Sequence, residues 1–399
     1  MSEQSKRICI LGGGFGGLYT ALRLSQLPWE KNEKPEIVLV DQNDRFVFSP
    51  LLYELVTDEL QTWEIAPPFE ELFLSTGVRF CQAKVTGIEI EGKQVALENR
   101  PSLEYDRLVI AMGATTPLVL VPGVQEYAIA FRNLNDVYAL KERLRQLENS
   151  DAEAIRVAVV GAGYSGVELA CKLADKLGDR GRIRLIELRD RILATATEFN
   201  RKAALKALED RKIWIDLETS VDSVGEDTIS LGYKGQVDTI PVDIVLWTVG
   251  IEVSDMIRQL PLPQNARGQL ITTPTLQVKN TSEVFALGDI ADCHDAIGQQ
   301  VPGTAQAAFQ QSDYCAWNLW ASLTQRPLLP FRYQQLGEIM SLGMDNATIN
   351  SMGLKVDGPL AHTARRLIYL YRMPTAQHRL TVGVNWVADP LRLLLSQVS

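Results

Sequence analysis

The chain has 399 residues, which is enough for two or three domains that each bury a core of their own. Its net charge of −9 argues against nucleic acid as a partner, and its composition is that of a globular protein. It has no apolar run long enough to cross a membrane and no apolar secretory signal after the first methionine, so a cytoplasmic location is expected.

Cysteines and histidines give no sign of a metal site or of a local redox disulfide. The five cysteines form no CxxC or CxxxxC pair, and the three histidines do not cluster in the sequence. Cys9 and Cys171 fall in a predicted strand and a predicted helix, where they are expected to be small buried hydrophobic residues.

A glycine fingerprint follows the first predicted strand, Ile8–Leu11, and precedes a helix predicted over 18–27. Such glycines permit a tight strand-to-helix turn and bring backbone amides and the positive end of the helix close to a pyrophosphate. A second strand, Ile37–Val40, ends at Asp41, an acid placed to accept hydrogen bonds from a ribose. The glycines are Gly12, Gly14 and Gly17. The segment therefore predicts a dinucleotide site.

Further along, the segment Tyr105–Gly113 is predicted to be a strand that ends in a glycine turn. Ala111 and Gly113 in this turn are assigned to the same nucleotide site. A helix predicted over 134–148, rich in Lys, Arg, Glu and Leu, then connects this region to the next.

The fingerprint occurs a second time, after the predicted strand Val157–Val160. Glu187, at the end of the strand Ile183–Ile186, takes the place of the first acid. The second set of glycines is Gly161, Gly163 and Gly166. One such motif is a weak signal, but two in one chain indicate two dinucleotides, which usually means a flavin and a nicotinamide that exchange a hydride.

The residues around Glu187 leave the choice of nicotinamide donor open. Glu187 should bind the 2′-hydroxyl of NADH and repel a 2′-phosphate. Arg189 and Arg191 follow at once and are able to bind that phosphate. We therefore expect both NADH and NADPH to serve as donors.

Two later strands indicate that the second nucleotide-binding domain is inserted into the first. Val242–Gly250 closes the second domain, and Val284–Asp289 is predicted to be the final strand of the first. The expected fold is α/β, with two Rossmann-like domains and a membrane-associating C-terminal segment. The expected boundaries are 1–122 with 270–332 for the first domain, 123–269 for the second and 333–399 for the C-terminal region.

A helix predicted over about 302–322 carries Gln306 and Gln310 four positions apart, on one face. Each side-chain amide can donate to a quinone carbonyl and accept from a quinol hydroxyl, and the alanines beside them leave room for a planar ring. The spacing alone fits the polar face of a packed helix equally well.

Together the two fingerprints and the segment Phe285–Asp289 resemble the two-dinucleotide flavoprotein reductases. Within them, Ala305–Gln311, Phe46–Glu54 and Leu246–Gly250 resemble the type II NAD(P)H:quinone oxidoreductases. The resemblance implies FAD at the first fingerprint, NADPH or NADH at the second and a quinone beside the two glutamines.

The resemblance also implies roles for two acids. Asp289 would contact the ribityl or phosphate part of FAD. Its alternative is a helix N-cap or turn residue, and the two roles can coexist. Glu168, two residues after the last fingerprint glycine, would approach the nicotinamide and flavin and act in binding or proton supply. Its alternative is a capping or surface carboxylate.

Five further segments resemble one branch of that family, found in cyanobacteria and plastids, which includes demethylphylloquinone reductases. They are Trp63–Pro67, Asn265–Gly268, Leu336–Glu338, Ala364–Ile368 and His378–Arg379. The branch implies a prenylated or phytylated quinone as substrate, namely the demethylated naphthoquinone precursor of phylloquinone and also plastoquinone.

The C-terminal region is basic in an acidic chain, with six Lys or Arg against two acids from Lys355 onward. We expect the predicted helix around 360–371 and the stretch Asn385–Leu395 to lie in a membrane interface, with arginines on lipid phosphates and Leu or Trp in the acyl boundary. This would place the protein on the cytoplasmic side of a thylakoid or plasma membrane. The alternative is that these leucines cover the flavin domain or form a homodimer contact.

Rival functions share this scaffold. A sulfide:quinone reductase needs a cysteine pair near the flavin, and none occurs between residues 46 and 56. A reductase of a protein acceptor, or a flavoprotein that senses the ratio of NAD(P)H to NAD(P)⁺, stays open as an alternative.

Overall fold

The computed structural model describes residues 6–30, 34–117 and 121–396, with side chains described as far as residue 388. The helices in these residues are α1 (Phe15–Ser25), α2 (Tyr53–Val56), α3 (Thr62–Ile65), α4 (Phe69–Leu72), α5 (Val124–Tyr127), α6 (Leu134–Glu148), α7 (Tyr164–Leu177), α8 (Glu198–Asp210), α9 (Asp255–Arg258), α10 (Ala305–Leu323), α11 (Pro359–Arg372) and α12 (Ala376–Ser396). The strands are β1 (Arg7–Leu11), β2 (Glu36–Asp41), β3 (Val78–Gln82), β4 (Val85–Glu89), β5 (Gln94–Leu97), β6 (Arg100–Glu104), β7 (Arg107–Ile110), β8 (Ala128–Ala130), β9 (Ile155–Val160), β10 (Gly181–Ile186), β11 (Trp214–Asp216), β12 (Ser220–Val224), β13 (Thr228–Tyr233), β14 (Gln236–Pro241), β15 (Ile244–Trp247), β16 (Leu270–Ile271), β17 (Val284–Ala286), β18 (Ala291–Asp292), β19 (Glu338–Ser341), β20 (Ala347–Ser351) and β21 (Leu354–Gly358).

The chain folds into two compact units. The first unit consists of Met1–Val47, Ala66–Thr115 and Glu252–Gln334, and the second of Phe48–Ile65, Thr116–Ile251 and Gln335–Ser399. These bounds differ from the sequence-based ones. The segments 48–65 and 116–122 lie in the second unit, 252–269 and 333–334 lie in the first, and the rest of the C-terminal region belongs to the second unit instead of standing alone.

A backbone bridge explains why the segment after Ile251 belongs to the first unit. Thr115 N donates to Glu252 O, and Glu252 N donates to Thr115 O, both at 2.8 Å. Ile257 and Leu260, just beyond, are buried in the core of the first unit. The chain thus returns to the first unit well before β16.

A parallel sheet with the order β17–β7–β1–β2–β3 forms the centre of the first unit. Ile8–Leu11 of β1 are fully buried, as expected for a parallel strand that is covered on both faces. The prediction that Val284–Ala286 returns to this sheet is confirmed, because β17 pairs with β7.

The second unit repeats this arrangement. Its parallel sheet has the order β11–β10–β9–β15–β8, so that β9 lies between β10 and β15 as β1 lies between β2 and β7. Each unit also carries a three-stranded antiparallel sheet, β4–β6 in the first and β12–β14 in the second. The α/β class with two Rossmann-like units is confirmed.

Local signals explain most helix ends. Helix α6 has the predicted bounds, because Asn133 and Asp136 form a capping box at its start. Helix α10 begins later than predicted, at Ala305, since the Thr304 hydroxyl accepts a hydrogen bond from Ala307 N.

The C-terminal part of the second unit contains the three-stranded antiparallel sheet β19–β21, followed by α11 and α12. In this sheet β20 pairs antiparallel with both β19 and β21. Among the described residues, no helix combines the length and apolar character needed to span a membrane.

Candidate functional site

The first fingerprint forms a tight turn between β1 and α1 that only glycine permits. Gly12 has φ +96°, and a Cβ there would lie 2.5 Å from Ala111 O. A Cβ on Gly17 would lie 1.9 Å from Gly12 O. Gly113, with φ +66°, turns the chain after β7 and has open space at its Cβ position. Ala111 therefore packs directly against the loop, as its assignment to the nucleotide site requires.

The start of α1 is open to an anion. Gly14 is the N-cap of the helix, no side chain caps it, and a Cβ there would have no heavy atom within 4 Å. The acid at the end of β2 fixes the loop, since Gly13 N donates to Asp41 Oδ2 at 2.6 Å and Asn43 N donates to Asp41 Oδ1 at 2.8 Å. Burial raises the pKa of Asp41 above its ordinary value, against these hydrogen bonds. The free amides at a helix N-terminus suit a pyrophosphate.

Asp289 lies in a 3₁₀ turn, Gly288–Ile290, at the end of β17. The residue before this turn, Leu287, approaches α1, since a Cβ on Gly16 would lie 3.0 Å from Leu287 Cδ1. The structure therefore brings Asp289 to the carboxyl edge of the same sheet as the fingerprint.

The second fingerprint has the same construction. Gly161 has φ +102°, a Cβ on Gly166 would lie 1.7 Å from Gly161 O, and the Cβ position of Gly163 is open. Gly163 is the N-cap of α7, again without a side-chain cap. Ala162 N donates to Glu187 Oε2 at 2.9 Å, as Gly13 N does to Asp41.

The residues after Glu187 are compatible with either NADH or NADPH as the nicotinamide donor. Arg189 N donates to Glu187 Oε1 at 3.0 Å, and Arg189 is an exposed residue. Arg191 forms an ion pair with its neighbour Asp190, with Nη2 and Oδ2 2.9 Å apart. An acid for a ribose hydroxyl and two cations for a phosphate thus lie within five positions.

Gln306 and Gln310 lie one turn apart on α10, but their amides differ in what they bind. Gln310 is paired with the backbone of Gln334 at both ends, since its Nε2 donates to Gln334 O at 2.9 Å and its Oε1 accepts from Gln334 N at 3.1 Å. Gln306 Oε1 accepts from the Tyr333 hydroxyl at 3.2 Å. In the described part of the chain, the amide nitrogen of Gln306 has no hydrogen bond.

Glu168 is buried in α7, with a 7% exposed fraction. Its Oε1 accepts a hydrogen bond from Ser341 N at 2.7 Å and lies 3.8 Å from Arg365 Nη2. Burial raises the pKa of Glu168 to about 7, against the lowering effect of Arg365 and of the Ser341 amide. The structure therefore makes Glu168 a buried group that can exchange a proton near neutral pH, and not a surface carboxylate.

Sequence reasoning missed the charged residues around Glu168. Glu54 of α2, Lys172 of α7 and Arg365 of α11 have fully buried side chains. The nearest sequence signal is the spacing of Glu168 and Lys172, four positions apart in the same helix. That spacing alone indicates only an ordinary surface ion pair.

The structure corrects the expected orientation of the C-terminal side chains. The prediction that both arginines of Ala364–Ile368 face lipid phosphates is wrong for Arg365, which is buried against Glu54. Arg366 binds Glu59, with Nη2 and Oε1 3.2 Å apart. Trp386 Nε1 donates to Glu64 Oε1 at 2.8 Å, so the indole nitrogen faces the protein. Buried carboxylates outcompete solvent-exposed phosphates for these donors.

A set of apolar side chains in α11 and α12 nevertheless faces outward. Their exposed fractions are 72% for Leu360, 59% for Leu367, 77% for Tyr371, 70% for Leu380, 59% for Val384 and 66% for Val387. Their spacings of seven, four and three put them on one face of each helix. The side chains of Leu391–Leu395 lie outside the described part of the structure.

Several segments that indicated the branch meet in the second unit. The backbone oxygen of Glu64 accepts from the ring of His378 at 2.8 Å. Glu338 Oε2 accepts from Thr197 N at 3.1 Å and from Asn200 Nδ2 at 2.9 Å. These bonds explain why the C-terminal region packs as part of this unit.

Residues 6–312 match the family model described as pyridine nucleotide-disulphide oxidoreductase. The chain belongs to this family. It is 58% identical to the demethylphylloquinone reductase NdbB of Synechocystis sp., over 98% of both chains. It is 44% identical to the alternative NAD(P)H-ubiquinone oxidoreductase C1 of Arabidopsis thaliana, over 98% of this chain and 83% of the other.

The structure of NDH2 from Plasmodium falciparum in complex with NADH has the same fold, with a TM-score of 0.85, 17% identity and coverage of 96% of this chain and 98% of the other. The predicted membership of the type II NAD(P)H:quinone oxidoreductases is confirmed. Family membership implies a pyridine nucleotide and a flavin, and both fingerprints have the open, uncapped helix starts that such groups need.

Proposed function

We propose that this family member is an FAD-dependent NAD(P)H:quinone oxidoreductase that reduces a membrane naphthoquinone of the demethylphylloquinone class. The observation that carries the proposal is the pair of fingerprints in which an acid fixes the loop and the glycine at the helix start is open. The full-length similarity to a demethylphylloquinone reductase supports the substrate class.

The first unit would hold FAD through Gly12, Gly14, Gly17, Asp41 and Asp289, and the second would hold NADH or NADPH through its own fingerprint. When bound, FAD would take a hydride from the nicotinamide and pass two electrons to the quinone. The chain's own contribution includes a proton donor whose pKa lies near neutral, which is the range in which proton transfer is efficient. Glu168 has that property.

The two glutamines would act differently toward a quinone. The Gln306 amide nitrogen is available to donate to a quinone carbonyl, because the described residues bind only the oxygen of this side chain. Gln310 is committed at both ends to Gln334, so it would position the segment at 333–334 instead of binding the ring. Replacing Gln306 should therefore remove a direct substrate contact, which is worth about tenfold in turnover.

The test is steady-state oxidation of NADH and NADPH by the FAD-loaded protein with a demethylated naphthoquinone, a plastoquinone analogue or ferricyanide as acceptor. We expect Gln306→Ala to lower quinone reduction about tenfold and keep ferricyanide reduction, while Gln300→Ala, at an exposed position of the same unit, changes neither. Wild-type protein that reduces ferricyanide but no quinone would refute the proposal and favour a protein acceptor or a redox sensor.

Donor choice follows from the residues after Glu187. We expect both NADH and NADPH to be used, since an acid and two arginines lie side by side. A ratio of kcat/KM above about 10³ in either direction, roughly 4 kcal/mol in transition-state free energy, would contradict this.

The outward apolar face of α11 and α12 would rest on the membrane that holds the quinone. Deleting the C-terminal residues is a poor test, because it would remove Arg365 and leave the buried Glu54 without the guanidinium that donates to it. Leu367→Ser combined with Leu380→Ser changes the exposed face alone, and Leu205→Ser, at an exposed position of α8, is the matched control. We expect the double variant to lose binding to anionic vesicles and keep turnover of a soluble quinone analogue. Unchanged vesicle binding would contradict the membrane assignment.

A further inference from the structure

A cluster of charged side chains lies inside the second unit, and the proposed reaction assigns a role only to one member, Glu168. We call Glu54, Glu59, Lys172, Arg365 and Glu168 the buried charge cluster. The side chains of Glu54, Lys172 and Arg365 are 0% exposed, and those of Glu59 and Glu168 are 9% exposed. Burying so many charges costs free energy unless each is paired, so the arrangement of the charges strongly affects the protonation state of every member.

Glu54 takes up the charge of both central cations. Arg365 Nη1 donates to Glu54 Oε1, and Lys172 Nζ lies 3.7 Å from the same oxygen while it donates to Glu59. The charges of Arg365 and Lys172 outweigh the effect of burial and hold the pKa of Glu54 at about 2. Glu54 is therefore ionised throughout the working pH range.

Glu168 lies at the margin of this arrangement. Arg365 Nη2 is 3.8 Å from Glu168 Oε1, beyond a hydrogen bond, because the same nitrogen donates to Pro50 O at 2.8 Å. The one hydrogen bond that Glu168 receives among the described residues comes from Ser341 N. The positive charge near Glu168 is thus directed mainly at Glu54.

The remaining titratable groups that face the cluster are uncharged near neutral pH, apart from Arg366. They are Tyr53 from α2, Tyr369 and His362 from α11, Tyr164 and Cys171 from α7, and Arg366 from α11, which binds Glu59. Burial, Arg366 and Lys172 lower the pKa of His362 to about 4, so its ring is neutral above pH 5 or so. With Arg366 counted, the cluster is neutral when Glu168 is ionised and carries one positive charge when Glu168 is protonated.

We propose that Glu54 and Lys172 are opposed positioning residues that set whether Glu168 holds its proton at neutral pH. The inference rests on the proposed function only in that Glu168 is taken as the proton donor for quinone reduction. Because Arg365 donates to Glu54, its positive charge stabilises the Glu168 carboxylate less, and the protonated form of Glu168 is favoured. The positive charge of Lys172 offsets the negative charges of Glu54 and Glu59, and so favours the ionised form of Glu168. Neither residue needs to touch the reacting atoms.

The two residues should therefore shift the titration of Glu168 in opposite directions. In Glu54→Gln the charges of Arg365 and Lys172 are less compensated, so the midpoint should fall by about one pH unit. In Lys172→Met the carboxylates are less compensated, so the midpoint should rise by about one unit. The double variant should titrate close to the wild type, since the two changes cancel in charge.

The experiment is an infrared titration of the protonated carboxyl band in the full-length, FAD-loaded protein, with the band assigned by its loss in Glu168→Gln. The pH profile of kcat for quinone reduction is recorded beside it. The controls are Glu198→Gln and Lys202→Met, which make the same chemical changes in an exposed ion pair of α8. We expect the controls to leave the midpoint unchanged.

Shifts of the same sign in both variants would overturn the inference. Unchanged midpoints with lowered thermal stability would also overturn it, because that is the result expected of a purely structural role. If Glu54→Gln does not fold, Glu59→Gln, at the less buried edge of the cluster, should move the midpoint in the same downward direction, and an upward or absent shift would overturn the inference. Opposite infrared shifts in a protein that reduces no quinone would support the charge assignment while refuting the proposed function.

Discussion

Replacing Glu168 by glutamine should change how the stability of the protein depends on pH. The pKa of Glu168 is raised from 4.5 to about 7 in the folded state. The folded protein then binds more protons than the unfolded chain between these values, so this group stabilises the fold below pH 4.5 and that contribution is lost as the pH rises through 7. Between pH 5 and pH 8 the linkage relation gives a loss of about 2.5 kcal/mol, a sizeable fraction of a typical unfolding free energy.

The assay is urea denaturation of the FAD-loaded wild type and of Glu168→Gln at pH values from 5 to 8. The difference in unfolding free energy between the two proteins is taken at each pH, so that other titrating groups cancel. We expect the variant to gain about 2.5 kcal/mol relative to the wild type across this range. Glu209→Gln, at an exposed position of α8, should show no such trend. A difference that stays constant with pH, or that runs the other way, would refute the reasoning that Glu168 is protonated when folded.

Three other changes test separate parts of the structure. Gly14→Ala places a Cβ in open space at the start of α1, so it should leave the unfolding midpoint unchanged. It should weaken FAD binding about tenfold or more, because the backbone amides can no longer approach the pyrophosphate. FAD binding is measured by fluorescence titration. Gly163→Ala should weaken NADH binding in the same way and leave FAD binding intact, and equal effects on both cofactors would contradict the assignment of one nucleotide to each unit. Asn318→Leu removes a buried amide that donates to Thr275 O and Leu329 O at 2.9 Å and accepts from Leu329 N at 2.7 Å. It should lower the unfolding free energy, measured by urea denaturation, by about 3 kcal/mol or more. A loss below about 1 kcal/mol would show that water replaces these hydrogen bonds.

The sequence predicted the parts of the structure that depend on local patterns. The run Ile8–Leu11 followed by Gly12 specifies a buried strand and a turn within a few residues, and Gly161 repeats the pattern after Val157–Val160. Asp41 and Glu187 were expected to bind a ribose. They also accept hydrogen bonds from the backbone amides of the fingerprint loops, a second role that the sequence spacing does not indicate. The two tasks are compatible, since a carboxylate accepts several hydrogen bonds.

The buried charge cluster could not be predicted, because its members are far apart in the chain. Glu54, Lys172 and Arg365 are each separated by more than a hundred residues from the next, so no local spacing links them. The basic composition after Lys355 favoured a lipid-facing interpretation of Arg365. Only the long-range packing of α11 against α2 and α7 shows that its guanidinium is buried.

The quinone-site motif was predicted as a face of a helix, and the structure adds which side chains are already engaged. Spacing placed Gln306 and Gln310 together and gave them the same chemistry. It could not show that the backbone at Gln334 pairs with only one of them, because that contact depends on the path of the chain after α10. The different behaviour expected of the two glutamines follows from this contact.

The buried charge cluster also bears on how the protein is made. During synthesis, Glu54 and Lys172 leave the ribosome long before Arg365, which lies about 190 residues after Lys172. At the usual rates of translation this interval lasts roughly 10–40 s, and throughout it the nascent second unit holds carboxylates that have not met the guanidinium that neutralises them. The fold of this unit is therefore completed late, when its C-terminal helices arrive, and the cell must keep an unfinished and charged intermediate from aggregation or proteolysis until then.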